Sequence, residues 1–240
     1  SSVLHLHTLL LAGSNATQTT MRRYARIEDK LPREFLLLQG RGCRWRKCTF
    51  CDYYGDTCEN PYDTNKAVIE QITGEFGVVD VINSGSAMEL DNKTLDHLAR
   101  VVKERGVKTL WFEAHYLYRE QLKAFAVRSE GVEVKFRCGV ESFKPQLRSS
   151  WNKGIPEDVT PEDIAKYFSG VCLLCCTEGD SRERIIDDIA IAGLFPAADG
   201  MTLRRQKLLH GLGLILICLA PEGVKSDFHV IFTNYYNIVL

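Results

Sequence analysis

Strand-like and helix-like stretches alternate from residue 35 to residue 192, and this alternation limits the possible folds more than any other feature of the chain. The apolar run Phe35–Leu38, closed by Gly40 and Gly42, reads as a first buried strand. Further strands are expected at Val78–Asn83, Thr109–His115, Val132–Val140 and Val171–Cys176. Apolar residues return at helical spacing over Thr64–Phe76 (Val68, Ile69, Ile72) and Asn92–Arg105 (Leu95, Leu98, Val101, Val102). Arg119–Arg128, Pro161–Phe168 and Ser181–Ala192 read as helices too, the last two capped by Thr160 and Ser181. Strands separated by helices of about a dozen residues predict βαβ units and an α/β fold with a parallel sheet. In α/β barrels the chemistry sits at the C-terminal ends of the strands, so function is sought there.

The first strand leads into Cys43, Cys48 and Cys51, spaced C-x4-C-x2-C, with Phe50 just before the last. Three neighbouring soft ligands without a convincing fourth suit an iron–sulfur cluster that leaves one iron open to an external ligand. Three other uses compete. Plant-type ferredoxins share the spacing and add a distant fourth cysteine, but this loop carries Arg41, Arg44, Trp45, Arg46 and Lys47, and the next cysteines, Cys58 and Cys138, lie very close or very far. A four-thiolate zinc site would enlist Cys58, yet zinc modules usually pair two C-x2-C units and only one is present. Small buried apolar filler describes Cys172, Cys175, Cys176 and Cys218 better, because they lie in apolar runs. Cluster ranks above zinc, and zinc above filler.

Charge and cysteine usage narrow the setting. Thirty basic and 31 acidic residues leave a net charge of −1, so no global basic field points to nucleic acid as the main partner. Nine irregularly spaced cysteines do not read as a secreted disulfide framework, which makes the reducing cytoplasm the expected location. Residues 1–20 lack the basic start and long apolar core of a signal peptide and are expected to be an extension outside the core. Residues 21–240 are then one barrel domain, atypical over 196–240, where acidic residues thin out. Gly211–Ala220 is too short to span a membrane, which takes about 20 residues; it or Phe228–Leu240 is expected to supply a sixth strand.

Side chains alternate along a strand, so Trp111, Glu113 and His115 share one face, aimed into the barrel mouth. On the fourth strand Arg137 and Glu141 share a face, with Gly139 making room between them. Polar groups inside a barrel are costly unless partnered. Arg137 is therefore expected in a structural Glu–Arg pair or in contact with substrate, while Glu113 and His115, at the mouth, lean towards function.

Together, a three-cysteine loop after the first strand and an aromatic before the third cysteine resemble the radical S-adenosylmethionine superfamily. That family usually has three residues in the first gap, and this chain has the four of a minority variant. The resemblance implies a partial (β/α)6 barrel and a 4Fe–4S cluster held by Cys43, Cys48 and Cys51. It implies S-adenosylmethionine on the fourth iron, split by one-electron reduction into methionine and a 5′-deoxyadenosyl radical. By the same resemblance, Phe50 matches the aromatic near the adenine. Ser84, Gly85 and Ser86 stand where a Gly-Gly-Glu-like motif meets the cofactor's amino group, without its acid. Glu141 matches a contact to ribose or carboxylate, and Glu178, opening Glu178-Gly179-Asp180-Ser181, matches a turn near the adenine.

Within the superfamily, Leu37-Leu38-Gln39-Gly40-Arg41-Gly42-Cys43, Cys48-Thr49-Phe50-Cys51-Asp52-Tyr53, Asn83-Ser84-Gly85-Ser86 and Phe112-Glu113-Ala114-His115 resemble the queuine lyase group of salvage enzymes. That resemblance implies cleavage of the C–N bond of queuine, releasing 7-aminomethyl-7-deazaguanine. Such a substrate needs a carboxylate for its guanine-like edge and polar groups for its diol; Asp52, Glu113 and His115 are the candidates. Asp52 equally suits a hydrogen bond to its own loop. The partners implied are a small molecule of the 7-deazaguanine type and a one-electron reductant such as flavodoxin or ferredoxin, with no membrane. Two alternatives stay open: a radical enzyme of tRNA-base modification, and a non-catalytic zinc-binding interaction domain.

Overall fold

The computed structural model describes residues 22–28, 31–51, 55–175, 181–193 and 214–218. Spatial order in the sheet follows chain order. An edge strand, β1 (Tyr24–Ile27), runs antiparallel to β2 (Arg33–Leu38). Then β3 (Val78–Asn83), β4 (Thr109–Ala114), β5 (Glu133–Glu141), β6 (Gly170–Cys175) and β7 (Leu214–Cys218) follow, each parallel to the one before. The six parallel strands curl into a half-barrel, the partial (β/α)6 architecture. The sixth is Leu214–Cys218, inside the stretch 211–220; the rival at 228–240 lies outside the described residues.

Helices cover the convex face: α1 (Tyr62–Ile69), α2 (Asn92–Glu104), α3 (Leu122–Ala126), α4 (Pro145–Ser150), α5 (Pro161–Ala165) and α6 (Arg182–Ala192). Alternate strand residues such as Leu36, Val81, Phe112 and Val140 point outwards and share one core with helix residues such as Ile69, Leu98, Val102 and Ile164. Burying one side chain of this kind contributes roughly 1.5–3 kcal/mol, so the pattern on the strands is enough to seat the helices. Local chemistry sets the helix starts. Asp91 accepts from the Thr94 N–H (2.9 Å) at α2, and Ser181 accepts from the Arg184 N–H (3.1 Å) at α6.

Several segments differ from expectation. The helix expected over 64–76 ends at Ile69, because the Thr73 and Gly74 N–H groups leave the helical ladder to donate to the buried Glu34 carboxylate (2.7 and 2.8 Å). The expected helix over 119–128 is a single α-turn, α3, between 3₁₀ segments at Tyr116–Gln121 and Val127–Ser129. Neither β1 nor α4 was expected, since both are short and lack a long apolar period.

The concave face is polar. Asp80 on β3 receives two hydrogen bonds from Arg137 on β5 (2.7 and 3.1 Å) and one from Arg33 on β2 (3.2 Å). The Trp111 ring lies 4.4 Å from the Arg137 guanidinium. The expected Glu–Arg pair is thus replaced: Arg137 pairs with Asp80, and Glu141 turns elsewhere. A bulge between Gly139 and Glu141 and a left-handed Glu141 backbone (φ 67°) re-aim that carboxylate towards the mouth.

Candidate active site at the mouth of the half-barrel

The cysteine loop leaves β2 through Gly40, which forms an isolated bridge with Thr57. Cys43, Cys48 and Cys51 are all half-buried thiols outside any disulfide. The Cys51 N–H donates to the Cys48 carbonyl (3.3 Å), and the Arg46 N–H reaches the Cys43 sulfur (3.4 Å). Burial pushes the Cys48 thiol up to about 11, with the neighbouring Cys51 and Cys43 sulfurs adding to it and the Lys153 ammonium opposing. A positively charged object within the loop would favour loss of the Cys48 proton.

A second segment, 151–154, holds the loop in place. The Trp45 indole N–H donates to the Asn152 carbonyl (2.7 Å), and the Thr49 N–H donates to the Trp151 carbonyl (3.0 Å). Phe50 meets the Trp151 ring edge-on at 6.0 Å. Gly154, at φ +73°, lies directly under the Trp45 ring, where a Cβ would sit 2.3 Å from Cζ2. Between them Lys153 is buried; its ammonium bonds Glu141 Oε1 at 2.7 Å and stands 5.7 Å from the Phe50 centroid. Burial opposes that charge, but Glu141 and Cys48 outweigh it and keep Lys153 protonated beyond the ordinary lysine range.

Glu89 fastens the opposite side. Its carboxylate accepts from the Arg44 N–H (2.7 Å), the Ser86 N–H (2.7 Å) and the Tyr118 hydroxyl (2.8 Å). It also closes over Gly85: a Cβ there would fall 2.0 Å from Glu89 Oε2 and 3.1 Å from Cys43 Cα. An acid therefore does stand beside Ser84-Gly85-Ser86, three residues further on than the motif would place it. The Ser-x-x-Glu spacing of a helix N-terminal capping box was the signal in the sequence. Lys153 had no such signal, being a lone lysine in a polar turn.

His115 is buried, and both ring nitrogens are committed. Nε2 lies 2.7 Å from the Lys153 carbonyl and so carries the proton it donates there; Nδ1 accepts from the Leu117 N–H (3.1 Å). Burial, with the Lys153 charge, pulls its pKa down to about 4, so the ring is neutral. It stacks on Trp45 (5.6 Å between centroids), and its backbone N–H donates to Ser86 Oγ (2.9 Å). This geometry makes His115 a brace between the loop, β3 and the 151–154 segment, with no ring atom left to handle a substrate proton.

Glu113 lies deeper on the concave face, in register with Arg137, and accepts from the Cys172 thiol (3.4 Å). Burial raises its carboxyl from 4.5 to about 7, with Arg137 pulling the other way. Near neutrality it can therefore serve as acceptor or donor. Asp52 and Glu178 lie outside the described residues.

Three buried oxygens around the mouth have no hydrogen-bond partner among the described residues: Asn83 Oδ1, Ser84 Oγ and Glu141 Oε2. Orphaned polar atoms of this kind are uncommon in a folded protein and mark a place where a ligand's polar groups fit. Three thiols beside three orphan oxygens suit a cluster together with a small zwitterion. Among the described residues, no three His, Cys, Asp or Glu side chains converge as around a single ion. The three thiols line one loop, as a multi-iron cluster with one thiolate per iron requires.

Comparison with known proteins gives the same direction. No protein-family profile and no curated protein sequence matches the chain. Among solved structures, a queuine lyase from Clostridium spiroforme, bound to SAM and queuine, matches 87% of this chain and 98% of that chain, at 30% identity and a TM-score of 0.71. Two structures of OxsB, a cobalamin-dependent S-adenosylmethionine radical enzyme, match 65% of this chain and 26% of that one at 14% identity, with TM-scores of 0.41 and 0.39, a likeness too slight to weigh further.

Proposed function

Since the chain belongs to the queuine lyase family within the radical S-adenosylmethionine superfamily, and so works with a 4Fe–4S cluster and S-adenosylmethionine, we propose that it cleaves the C–N bond of queuine or a similar 7-deazaguanine. The observation that carries this reading is the 30%-identical match along nearly the whole of a queuine lyase, coupled to three half-buried cysteines at the mouth of the same half-barrel. When bound, the cluster and S-adenosylmethionine supply a 5′-deoxyadenosyl radical that takes a hydrogen atom from the substrate.

The chain's own residues divide the remaining work. Cys43, Cys48 and Cys51 would each hold one iron. Ser84 Oγ, Asn83 Oδ1, Glu141 Oε2 and the backbone at Gly85, which a side chain would block, would receive the cofactor's amino and carboxylate groups. Ser86 is tied to His115 and Glu89 and would act by shaping that turn. Phe50, which meets Trp151 edge-on, would stack on the adenine, and Glu178 is the proposed contact from the turn near that base. Glu113 suits the guanine-like edge: as a carboxylate it would accept from ring N–H and amino groups, and its place on the concave face beside Arg137 supports that role. Asp52, next to Cys51, is the proposed partner for the diol.

The test is anaerobic reconstitution with iron and sulfide, then reduction in the presence of S-adenosylmethionine, with and without queuine. We expect 5′-deoxyadenosine and 7-aminomethyl-7-deazaguanine to form together, and both to vanish in Cys51→Ala. Cofactor cleavage indifferent to queuine would refute the substrate. A purified protein holding zinc, with Cys58→Ala abolishing it, would refute the enzyme reading.

A further inference from the structure

Residues 41–47 read Arg-Gly-Cys-Arg-Trp-Arg-Lys, four cations in seven positions without one acid, in a chain whose net charge is −1. Arg41, Arg44, Arg46 and Lys47 are all exposed. Elsewhere the exposed cations are spread out along the chain, and several answer a carboxylate close by, as Arg100 does Glu104 and Lys166 does Asp163. Among the described residues, no carboxylate pairs with the side chains of Arg41, Arg44 or Lys47. Two of the three are held in place: Glu89 pins the Arg44 backbone, and the Lys47 ammonium stands 5.1 Å from the centroid of the clamped Trp45 ring. Positive charge concentrated in one exposed loop of a chain whose net charge is −1 makes a recognition surface for negative charge.

The location says what the patch receives. It lies on the loop that carries the three half-buried cysteines, so a partner seated there is as near to the cluster as the surface allows. Electron transfer between proteins depends steeply on distance and works through small, weak, charge-steered encounters. We propose that Arg41, Arg44 and Lys47 form the docking site for a protein one-electron donor with an acidic face, and that the cluster is reduced through this loop. The site rests on the cluster assignment above. A nucleic acid fits less well, because the basic run covers only seven residues in a chain of net charge −1.

The experiment follows bleaching of the reconstituted cluster after rapid mixing with reduced flavodoxin, an acidic one-electron carrier, and separately with dithionite. With flavodoxin, the second-order rate should fall by roughly tenfold or more from low to high salt. It should fall by a similar factor in the double variant Arg41→Glu, Lys47→Glu, and stay near wild type in Arg41→Lys, Lys47→Arg. Iron content and the extent of dithionite reduction should match across all three proteins. Flavodoxin rates indifferent to salt and to charge reversal would overturn the docking site while leaving the cluster intact. So would tRNA binding lost in the double variant with flavodoxin reduction unchanged. Wild-type protein that takes up no iron would overturn the cluster assignment, and the docking site with it.

Discussion

Replacing Gly154 by alanine tests whether the 151–154 segment clamps the cysteine loop. The new Cβ would lie 2.3, 2.4 and 2.6 Å from three atoms of the Trp45 ring, at a residue whose φ is +73°. Left-handed backbone costs an L-residue about 1–2 kcal/mol, and forcing extra volume into a filled contact costs about 1–3 kcal/mol more. If the ring swings out instead, its hydrogen bond to the Asn152 carbonyl goes, a net loss of about 0.5–1.5 kcal/mol. Gly106 supplies the control: its φ is +68°, and a Cβ there meets nothing within 4 Å. Gly106→Ala should thus show the backbone penalty alone, and Gly154→Ala about 1–3 kcal/mol beyond it. At roughly 2–4 °C per kcal/mol for a domain of this size, that excess is measurable by thermal unfolding of the cluster-loaded proteins. Faster iron loss on gel filtration should accompany Gly154→Ala only. Equal melting temperatures for the two variants, with iron retained in both, would refute the clamp.

Three further perturbations check other parts of the site. Glu113 is raised from 4.5 to about 7 on folding, so its contribution to stability is complete below pH 4.5 and drains away as pH rises through about 7. Glu113→Gln, which does not titrate, should gain on the wild type by ~3 kcal/mol across that window in urea unfolding; a difference flat in pH would refute the shift. Asp80→Asn leaves Arg33 and Arg137 buried without their shared carboxylate and should lower stability by about 3–5 kcal/mol, a loss under 1 kcal/mol being inconsistent with the triad. Glu89→Gln sets an amide against three donors and should weaken the join between the cysteine loop and the turn after β3 by about 1–3 kcal/mol. Faster hydrogen exchange at the Arg44 and Ser86 amides would report it, and unchanged exchange would count against it.

The parallel strands were legible because each sets β-branched or aromatic residues between glycine or polar turns, and because alternation separated Trp111 and Glu113 from Leu110 and Phe112. The helices were legible where a long period exists, as in α2, and not where they last a turn and a half, as in α4. The end of α1 was hidden, since Glu34, which draws the chain out of the helix, lies 39 residues from Thr73. At the candidate site, spacing singled out the cysteines, and the family resemblance singled out Phe50 and the Ser84–Ser86 turn. Neither could disclose that His115 has both nitrogens engaged, because one partner is a backbone carbonyl 38 residues on. Lys153 escaped for the same reason. Nothing local to it shows that β5 bulges at Gly139 and delivers Glu141 to its ammonium.

The hydrogen bond from Trp45 to Asn152 spans 107 residues. Metal uptake is therefore tied to chain completion. A nascent or truncated chain that ends before 151 owns all three thiols proposed as ligands yet lacks the surface that holds their loop closed, together with β6 and β7. Such a chain would carry its cysteines open and solvated, with little ability to retain iron. Radical chemistry is in this way withheld until more than half of the molecule has folded around the loop that starts it.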